Sequence, residues 1–215
     1  MNEQKAFYER YWQDKHIKIN PFDHRPNAFT DENFMWHLKF FKPFIKGKLL
    51  DFGCGDGNFA SRISSYCDSV CGVDIAEIPI NQAILNYPKI EFKLLENGVN
   101  IPYPDSYFDC IVALDVLEHI LDIEHVLKEL NRVLKSGGSL LITTSELTRI
   151  KIILIASTSL DNYFYPTSPH IRYFTRKNLE DILGREGFKV QGYRKNRTYF
   201  GFIPQGQMVV ALKKY

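Results

Sequence analysis

The sequence lacks the features that mark several common protein classes. Its formal net charge is only +2 over 215 residues, so an extended nucleic-acid-binding surface is not expected. The densest basic run, Arg194–Arg197, is short, and we expect it to form a solvated loop. The four cysteines show no paired C-x-x-C spacing of a zinc site, and no other metal-ligand set stands out. We therefore expect no metal and reduced cysteines, as in a cytoplasmic protein.

Long apolar runs are also missing. The first residues, Met-Asn-Glu-Gln-Lys, contain no apolar signal core. The longest apolar stretch, Ile150 to Leu160, is interrupted by Lys151 and by several hydroxyl side chains. We expect neither export nor a membrane anchor.

What is present fits one sizeable globular domain. A chain of 215 residues is too short for two ordinary domains, and 45% apolar with 24% charged residues is close to the globular average. The aromatic content of 14% is high. These rings either fill the core or line a pocket for a planar or sugar-like molecule.

From Lys48 onwards, segments with strand character alternate with segments with helix character, which predicts a parallel sheet. The predicted strands are Lys48–Phe52, Ser69–Asp74, Glu91–Leu95, Phe108–Leu114 and Ser139–Thr144. The predicted intervening helices are Asn58–Tyr66, Ile78–Asn86 and Ile123–Val133, the last terminated by a turn at Lys135–Gly138. A later helix, Arg176–Glu186, leads into two directly joined strands that should pair antiparallel, Phe188–Tyr193 and Met208–Leu212.

The segment after the first predicted strand, Asp51-Phe-Gly53-Cys-Gly55-Asp-Gly57, is the most informative in the chain. Alternate glycines permit positive φ and let a ligand approach the backbone closely. Asp74 ends the next predicted strand, where an acid can bind both hydroxyls of a ribose. The segment therefore indicates a nucleoside cofactor.

Two details distinguish between cofactor classes. Dinucleotide folds need G-x-G-x-x-G, but position 58 is Asn. Asp51 would repel a pyrophosphate, whereas it suits a cation such as the ammonium and sulfonium groups of S-adenosylmethionine. A dinucleotide oxidoreductase is therefore disfavoured.

With these features, the sequence resembles the class I S-adenosylmethionine-dependent methyltransferases, of the small-molecule type with a D-x-G-C-G-x-G loop. The resemblance extends from Tyr8-x-x-Tyr11-Trp12 to the end, and it is densest over Phe108–Ile120, which contains Leu117-Glu118-His119. It implies an α/β fold with a doubly wound, Rossmann-like, seven-stranded sheet. The sheet should be mostly parallel with an antiparallel last strand, and helices should cover both faces.

The resemblance also implies the residues that bind the cofactor. The loop would contact the methionine part, Asp74 the ribose and Ile75 the adenine face, while Gly57 could equally serve helix packing. The adenine amino group would be bound by either Glu96 or Asn97. The full set of implied cofactor residues is Asp51, Gly53, Cys54, Gly55, Gly57, Asp74, Ile75, Glu96, Asn97 and Leu114.

The acceptor side is expected outside the core repeat. Candidate catalytic bases are His119, His16 and, favoured among them, His170, which lies in a P-H-x-R-x-F-T segment. This segment could instead anchor the following helix with Thr175 as N-cap. Arg172 would bind an anionic acceptor or pair with a surface acid. Four aromatic residues would form the acceptor pocket and lid, namely Tyr11, Trp12, Tyr163 and Tyr165.

Together these observations predict one methyltransferase domain with four parts. These are a helical cap over the cofactor mouth, the cofactor-binding core, an acceptor-side insertion or lid, and a C-terminal helix with the antiparallel strand pair, at residues 1–46, 47–145, 146–178 and 179–215. The predicted reaction is methyl transfer to oxygen or nitrogen of a small molecule, such as a sugar or glycan precursor or a secondary metabolite. Alternatives are an RNA or protein acceptor and a non-catalytic cofactor-binding module. No nucleic-acid or membrane partner is expected, and the protein should be a monomer or homodimer.

Overall fold

The structure, a computed structural model, describes residues 3–13, 30–95, 100–165, 168–199 and 203–215. Seven strands form one sheet in the order β3-β2-β1-β4-β5-β7-β6. Strands β1 to β6 run in one direction and β7 runs against them, because β7 pairs antiparallel with both β5 and β6. The strands are β1 Lys48–Phe52, β2 Ser69–Asp74, β3 Glu91–Leu94, β4 Phe108–Leu114, β5 Leu134–Ser145, β6 Phe188–Tyr199 and β7 Ile203–Lys213. The predicted fold class is confirmed.

Helices cover both faces of this sheet. One apolar layer contains side chains of α5 and α8, and the other contains side chains of α2, α3 and α4. The helices are α1 Glu3–Gln13, α2 Asp31–Phe41, α3 Asn58–Ile63, α4 Glu77–Asn86, α5 Ile123–Val133, α6 Arg149–Thr158, α7 Leu160–Tyr163 and α8 Arg176–Arg185. Among the described residues, no helix combines the length and apolarity needed to cross a membrane.

The two helices within the predicted N-terminal cap have different surroundings. In α2, the side chains of Phe34, Leu38 and Phe41 are buried in the core, as their helical spacing requires. In α1, Trp12 approaches Gly55 of the glycine loop. The link between the two helices lies outside the described residues.

The turn predicted at Lys135–Gly138 is wrong, because those residues belong to β5. Helix α5 ends at Val133, and β5 begins at the next residue. Leu134 pairs with Phe108, and the next pair joins Ser139 to Cys110, so the register shifts between them. The extra residues form a bulge in β5. This bulge explains Gly137 and Gly138, which are not needed to terminate the helix.

The two C-terminal strands are longer than predicted. They form an antiparallel hairpin that continues to Tyr199↔Ile203. The basic run Arg194–Arg197 therefore lies in β6, and the expectation of a loop is wrong. Backbone pairing does not depend on apolar side chains, and the Arg194 guanidinium lies 4.1 Å from the centre of the Trp36 ring.

The connection after β5 contains two helices, α6 and α7, that the sequence analysis left unassigned. Thr148 caps α6 by accepting a hydrogen bond from the Lys151 amide. Thr175 caps α8 in the same way by accepting from the Asn178 amide, which agrees with the alternative interpretation of the His170 segment as a helix anchor. Tyr163 at the end of α7 is only 2% exposed. The connection therefore packs against the protein through a few side chains such as Tyr163, while Ile153 and Leu160 remain exposed.

Candidate active site

The glycine loop follows β1 at the carboxyl edge of the sheet. Gly53, Gly55 and Gly57 have φ of +79°, +52° and +77°, a region that residues with a Cβ rarely adopt. A Cβ on Gly53 would lie 2.4 Å from Val116 Cγ2, so the loop touches the turn that follows β4. A Cβ on Gly57 would lie 2.8 Å from the Phe92 ring, so packing alone explains that glycine.

Asp74 fixes the loop to the end of β2. Its Oδ2 accepts from the Gly55 amide at 2.9 Å, and its Oδ1 accepts from the Ala76 amide at 2.9 Å, just before α4. Burial raises the pKa of this carboxyl. Each carboxylate oxygen can accept more than one hydrogen bond, so both retain capacity for ribose hydroxyls.

Asp51 lies at the base of the loop and is 3% exposed. Among the residues that the structure describes, its buried Oδ2 atom has no hydrogen-bond partner. Burial, with the negative charges of Asp74 and Asp56, raises the pKa of Asp51 to about 8. A buried carboxyl with an unused acceptor suits an ammonium group, so the loop fits the amino-acid end of S-adenosylmethionine.

Helix α1 passes over this loop and reaches the turn after β4. The Glu9 carboxylate accepts from the amides of Glu77, at 2.6 Å, and Ile78, at 3.4 Å, at the start of α4. Tyr8 and Trp12 are four residues apart and share one side of the helix. The Tyr8 ring is 6.0 Å from the His119 ring, and Trp12 lies against Gly55. The loop and His119 therefore flank the same helix.

Glu118 connects the turn after β4 to two other segments. Its side chain is 1% exposed and accepts from the Thr144 hydroxyl at 2.8 Å and the Ser145 amide at 3.1 Å. Its backbone carbonyl accepts from the amides of Ile171 and Arg172, each at 3.1 Å. Burial, followed by the charge of Asp115, raises the pKa of the Glu118 carboxyl to about 7.

The two histidines proposed as bases lie together beside Glu118. The ring centres of His119 and His170 are 4.8 Å apart. One ligand atom from each of Glu118, His119 and His170 lies within 4.8 Å of the others, a donor set that a divalent cation can use. No metal was expected from the sequence, because no local spacing joins Glu118 and His119 to His170.

Other predicted acceptor residues have different surroundings. The Arg172 guanidinium donates to the backbone carbonyls of Ile120 and Leu121, and so it stabilises the turn. The Tyr163 ring is buried against Tyr173, whereas Tyr165 is half exposed.

The remaining cofactor candidates lie around the loop and at the ends of the strands. Cys54, within the loop, is buried, and Ile75 and Leu114 are half-buried after β2 and at the end of β4. Tyr11 is in ring contact with Trp12 on α1. Glu96, Asn97 and His16 lie outside the described residues.

Sequence reasoning missed Glu118 and Glu9 as site residues. Glu118 belongs to the L-E-H turn, and its signal was an acid preceded by an apolar strand and a leucine, where burial was predictable. Glu9 gave no local signal, because its hydrogen bonds go to residues 68 and 69 positions away.

The strand order of the sheet is that of the class I S-adenosylmethionine-dependent methyltransferases, and the glycine loop with Asp74 and the turn below α1 would hold the cofactor of that class. The family described as "Methyltransferase domain" matches residues 7–192, and the chain belongs to it. S-adenosylmethionine is therefore the cofactor that the family and fold imply.

Curated relatives share part of their length with this chain. The mitochondrial ubiquinone biosynthesis O-methyltransferase of Homo sapiens is 31% identical over 160 residues, which cover 70% of this chain and 43% of the relative. The 27-O-demethylrifamycin SV methyltransferase of Amycolatopsis mediterranei is 36% identical over 100 residues, covering 43% of this chain and 36% of the relative. The chain spans about half the length of the curated relatives it matches.

Solved structures have the same fold. A S-adenosylmethionine-dependent methyltransferase from Methanosarcina mazei aligns with a TM-score of 0.63 and 25% identity, over 78% of this chain and 92% of that one. The [4+2]-cyclase SpnF aligns with a TM-score of 0.69 and 17% identity, over 97% and 92% of the two chains. At that identity, the second alignment bears on the fold alone.

Proposed function

We propose that this protein transfers the methyl group of S-adenosylmethionine to an oxygen or nitrogen atom of a small-molecule acceptor. The observation that carries the proposal is the placement of two groups along one side of α1. Trp12 contacts the glycine loop, and Tyr8 contacts His119 one helical turn away. An acceptor held by the histidines would therefore lie beside the cofactor.

The cofactor supplies an electrophilic methyl group on a sulfonium, with a thioether as the leaving group. The protein then has to align the acceptor and exclude water. Asp51 would hold the ammonium group of the cofactor and Asp74 its ribose, and α1 would cover both. His170 would accept the acceptor's proton, because an imidazole ionises near neutral pH.

The acceptor that fits best is a hydroxylated molecule with apolar surface. The Arg172 guanidinium already donates to backbone carbonyls, so it supports no anionic group on the acceptor. Large apolar side chains are exposed near His170, namely Ile171, Phe164 and Tyr165. Of the two curated relatives named above, the first is named as an O-methyltransferase of ubiquinone biosynthesis, and the name of the second refers to an O-demethyl compound. Both names support oxygen as the methylated atom.

The test is to incubate the protein with methyl-labelled S-adenosylmethionine and separate small-molecule, RNA and protein fractions of a cell extract. We expect label only in the small-molecule fraction. Asp74→Ala should abolish labelling, and His125→Ala, which changes a histidine outside the site, should not. Label in RNA or protein would contradict the proposal, as would cofactor binding with no transfer to any fraction. The group formed by Glu118, His119 and His170 can either bind a divalent cation or supply His170 as a proton acceptor. Addition of EDTA distinguishes these two uses, because proton acceptance by His170 needs no metal and should continue in its presence.

A further inference from the structure

The charged end of the cofactor site is acidic and has an aromatic cover. Asp51, Asp56 and Asp74 lie close enough for the latter two to raise the pKa of the first. No lysine or arginine in the described ranges forms an ion pair with any of these three acids. Such surroundings favour a ligand that carries positive charge.

The aromatic cover is Trp12. A Cβ on Gly55 would lie 3.1 Å from Cζ2 and 3.4 Å from Cη2 of the indole, which is tighter than ordinary contact. The benzene part of the ring therefore packs directly on the glycine backbone. This placement gives Gly55 a second reason to be glycine, besides its φ of +52°.

Contacts other than Trp12 hold α1 over the loop. Glu9 accepts from the first amides of α4, and the Gln4 amide donates to the His119 carbonyl at 2.7 Å. The indole is thus presented by a helix that is attached on both sides of the site. Changing Trp12 should alter the cover without releasing the helix.

We propose that the Trp12 indole recognises the positive sulfonium of S-adenosylmethionine through a cation–π contact, so that the protein binds the charged cofactor more tightly than its neutral thioether product. This inference rests on the proposed function. It moves Trp12 from the acceptor pocket, where the sequence analysis placed it, to the cofactor. Both ligands carry the same ammonium group, so contacts with that group cannot separate them, whereas a ring beside the sulfur can.

The test is calorimetric titration of the intact protein with S-adenosylmethionine, with sinefungin, in which an ammonium-bearing carbon replaces the sulfonium, and with S-adenosylhomocysteine. The variants are Trp12→Phe and Trp12→Leu. The matched control is Trp36→Phe, because Trp36 lies on α2 with its ring under Arg194. We expect Trp12→Leu to lower the preference for the two charged ligands over S-adenosylhomocysteine by about 3- to 30-fold, the usual strength of a cation–π contact. Trp12→Phe should be intermediate, and the control unchanged.

Equal weakening of all three ligands in Trp12→Leu would overturn the inference, because it would make Trp12 a cover without charge recognition. Unchanged binding in that variant would overturn it too. If the wild type transferred no methyl group but preferred the charged ligands, and Trp12→Leu reduced that preference, the inference would be supported and the proposed function refuted. The absence of binding by the wild type would refute both.

Fluorescence provides a second readout that leaves Trp12 itself unchanged. The chain has two tryptophans, so Trp36→Phe leaves Trp12 as the single indole. We expect saturating S-adenosylmethionine to change the emission of this variant more than saturating S-adenosylhomocysteine does. Identical emission changes with the two ligands would contradict a contact between Trp12 and the sulfonium.

Discussion

The Nδ1 atom of His119 donates a hydrogen bond to the carbonyl oxygen of Pro169 at 2.9 Å. A carbonyl oxygen only accepts, so the proton lies on Nδ1 and the neutral ring carries its lone pair on Nε2. This bond joins the turn after β4 to the segment that presents His170. The hydrogen bond from His119 to the Pro169 carbonyl therefore fixes the position of the two histidines relative to each other.

The first prediction separates the structural role of His119 from the proton-accepting role of His170. In His119→Asn, the side-chain amide can still donate to the Pro169 carbonyl, so we expect a change in melting temperature of less than about 2 °C. His170→Gln removes a titrating imidazole, and we expect a loss of kcat of about 10²- to 10⁴-fold with unchanged binding of S-adenosylhomocysteine. Steady-state kinetics and calorimetry measure both, with His125→Gln as the control.

The opposite ranking would contradict this assignment. If His119→Asn lost as much kcat as expected for His170→Gln while its fold stayed intact, His119 would be the proton acceptor. A flat pH dependence of kcat in the wild type would exclude both histidines from that role.

The second prediction concerns the pH dependence of stability without cofactor. Burial raises the pKa of Asp51 to about 8 in the folded protein, against an ordinary value of 3.8 for an aspartate. Between these values the folded protein holds a proton that the unfolded chain has lost, so the free energy of unfolding falls as pH rises from about 4 to 8. At about 1.36 kcal/mol per pKa unit, the upper limit of this loss is roughly 6 kcal/mol.

Asp51→Asn removes this titration. We expect the variant to unfold at least roughly 5 °C above the wild type at pH 8, and close to the wild type near pH 4. We also expect its affinity for S-adenosylmethionine to fall by about tenfold or more, since an amide replaces a charged acceptor for the ammonium. Thermal unfolding at both pH values is the measurement, and a variant less stable at pH 8 would contradict the explanation.

Most strands of the sheet were predictable because each has a recognisable local sequence pattern. Apolar pairs such as Leu49-Leu50 and the glycine loop that follows place β1 without any knowledge of distant contacts. The start of β5 and the whole length of β6 were not predictable, because bulged and polar residues join a sheet through backbone bonds to partners far away in sequence. Arg194, which pairs with Met208, shows this most clearly.

The same limit applies to the site. Asp74 and the glycines carry a spacing that indicates a cofactor, and the structure brings them within one hydrogen bond of each other. The role of Glu118 depends on Thr144, 26 positions away, which no local pattern reveals. Arg172 was expected to meet an acceptor or a surface acid, and its guanidinium also donates to backbone carbonyls that its place in the sequence does not indicate.

The third prediction tests whether Asp74 shapes the loop as well as binding ribose. Asp74→Ala leaves the amides of Gly55 and Ala76 without their acceptors. We expect a loss of stability of about 2 kcal/mol and a loss of affinity for S-adenosylhomocysteine of at least tenfold. Calorimetry with NADH in parallel should give no binding in either protein. A variant that loses affinity with no loss of stability would restrict Asp74 to ligand contact.

The last prediction compares two glycines that differ in their surroundings. A Cβ on Gly53 would lie 2.4 Å from Val116 Cγ2 at a φ of +79°, whereas a Cβ on Gly184, in α8, meets nothing within 4 Å. Gly53→Ala should therefore destabilise the protein by about 2 to 4 kcal/mol, through backbone strain and overpacking together. Gly184→Ala should stabilise it by about 0.5 to 1 kcal/mol, because alanine is the better helix former.

Urea unfolding of the two variants measures both effects. Because Val116 begins the turn that carries Glu118 and His119, the clash at Gly53 should also displace the acceptor side from the cofactor. We therefore expect Gly53→Ala to lower kcat for any acceptor more than it lowers cofactor affinity, once stability is compensated by a lower assay temperature. If cofactor affinity alone were lost, the contact between Gly53 and Val116 would matter for the loop and not for the alignment of the acceptor with the methyl group.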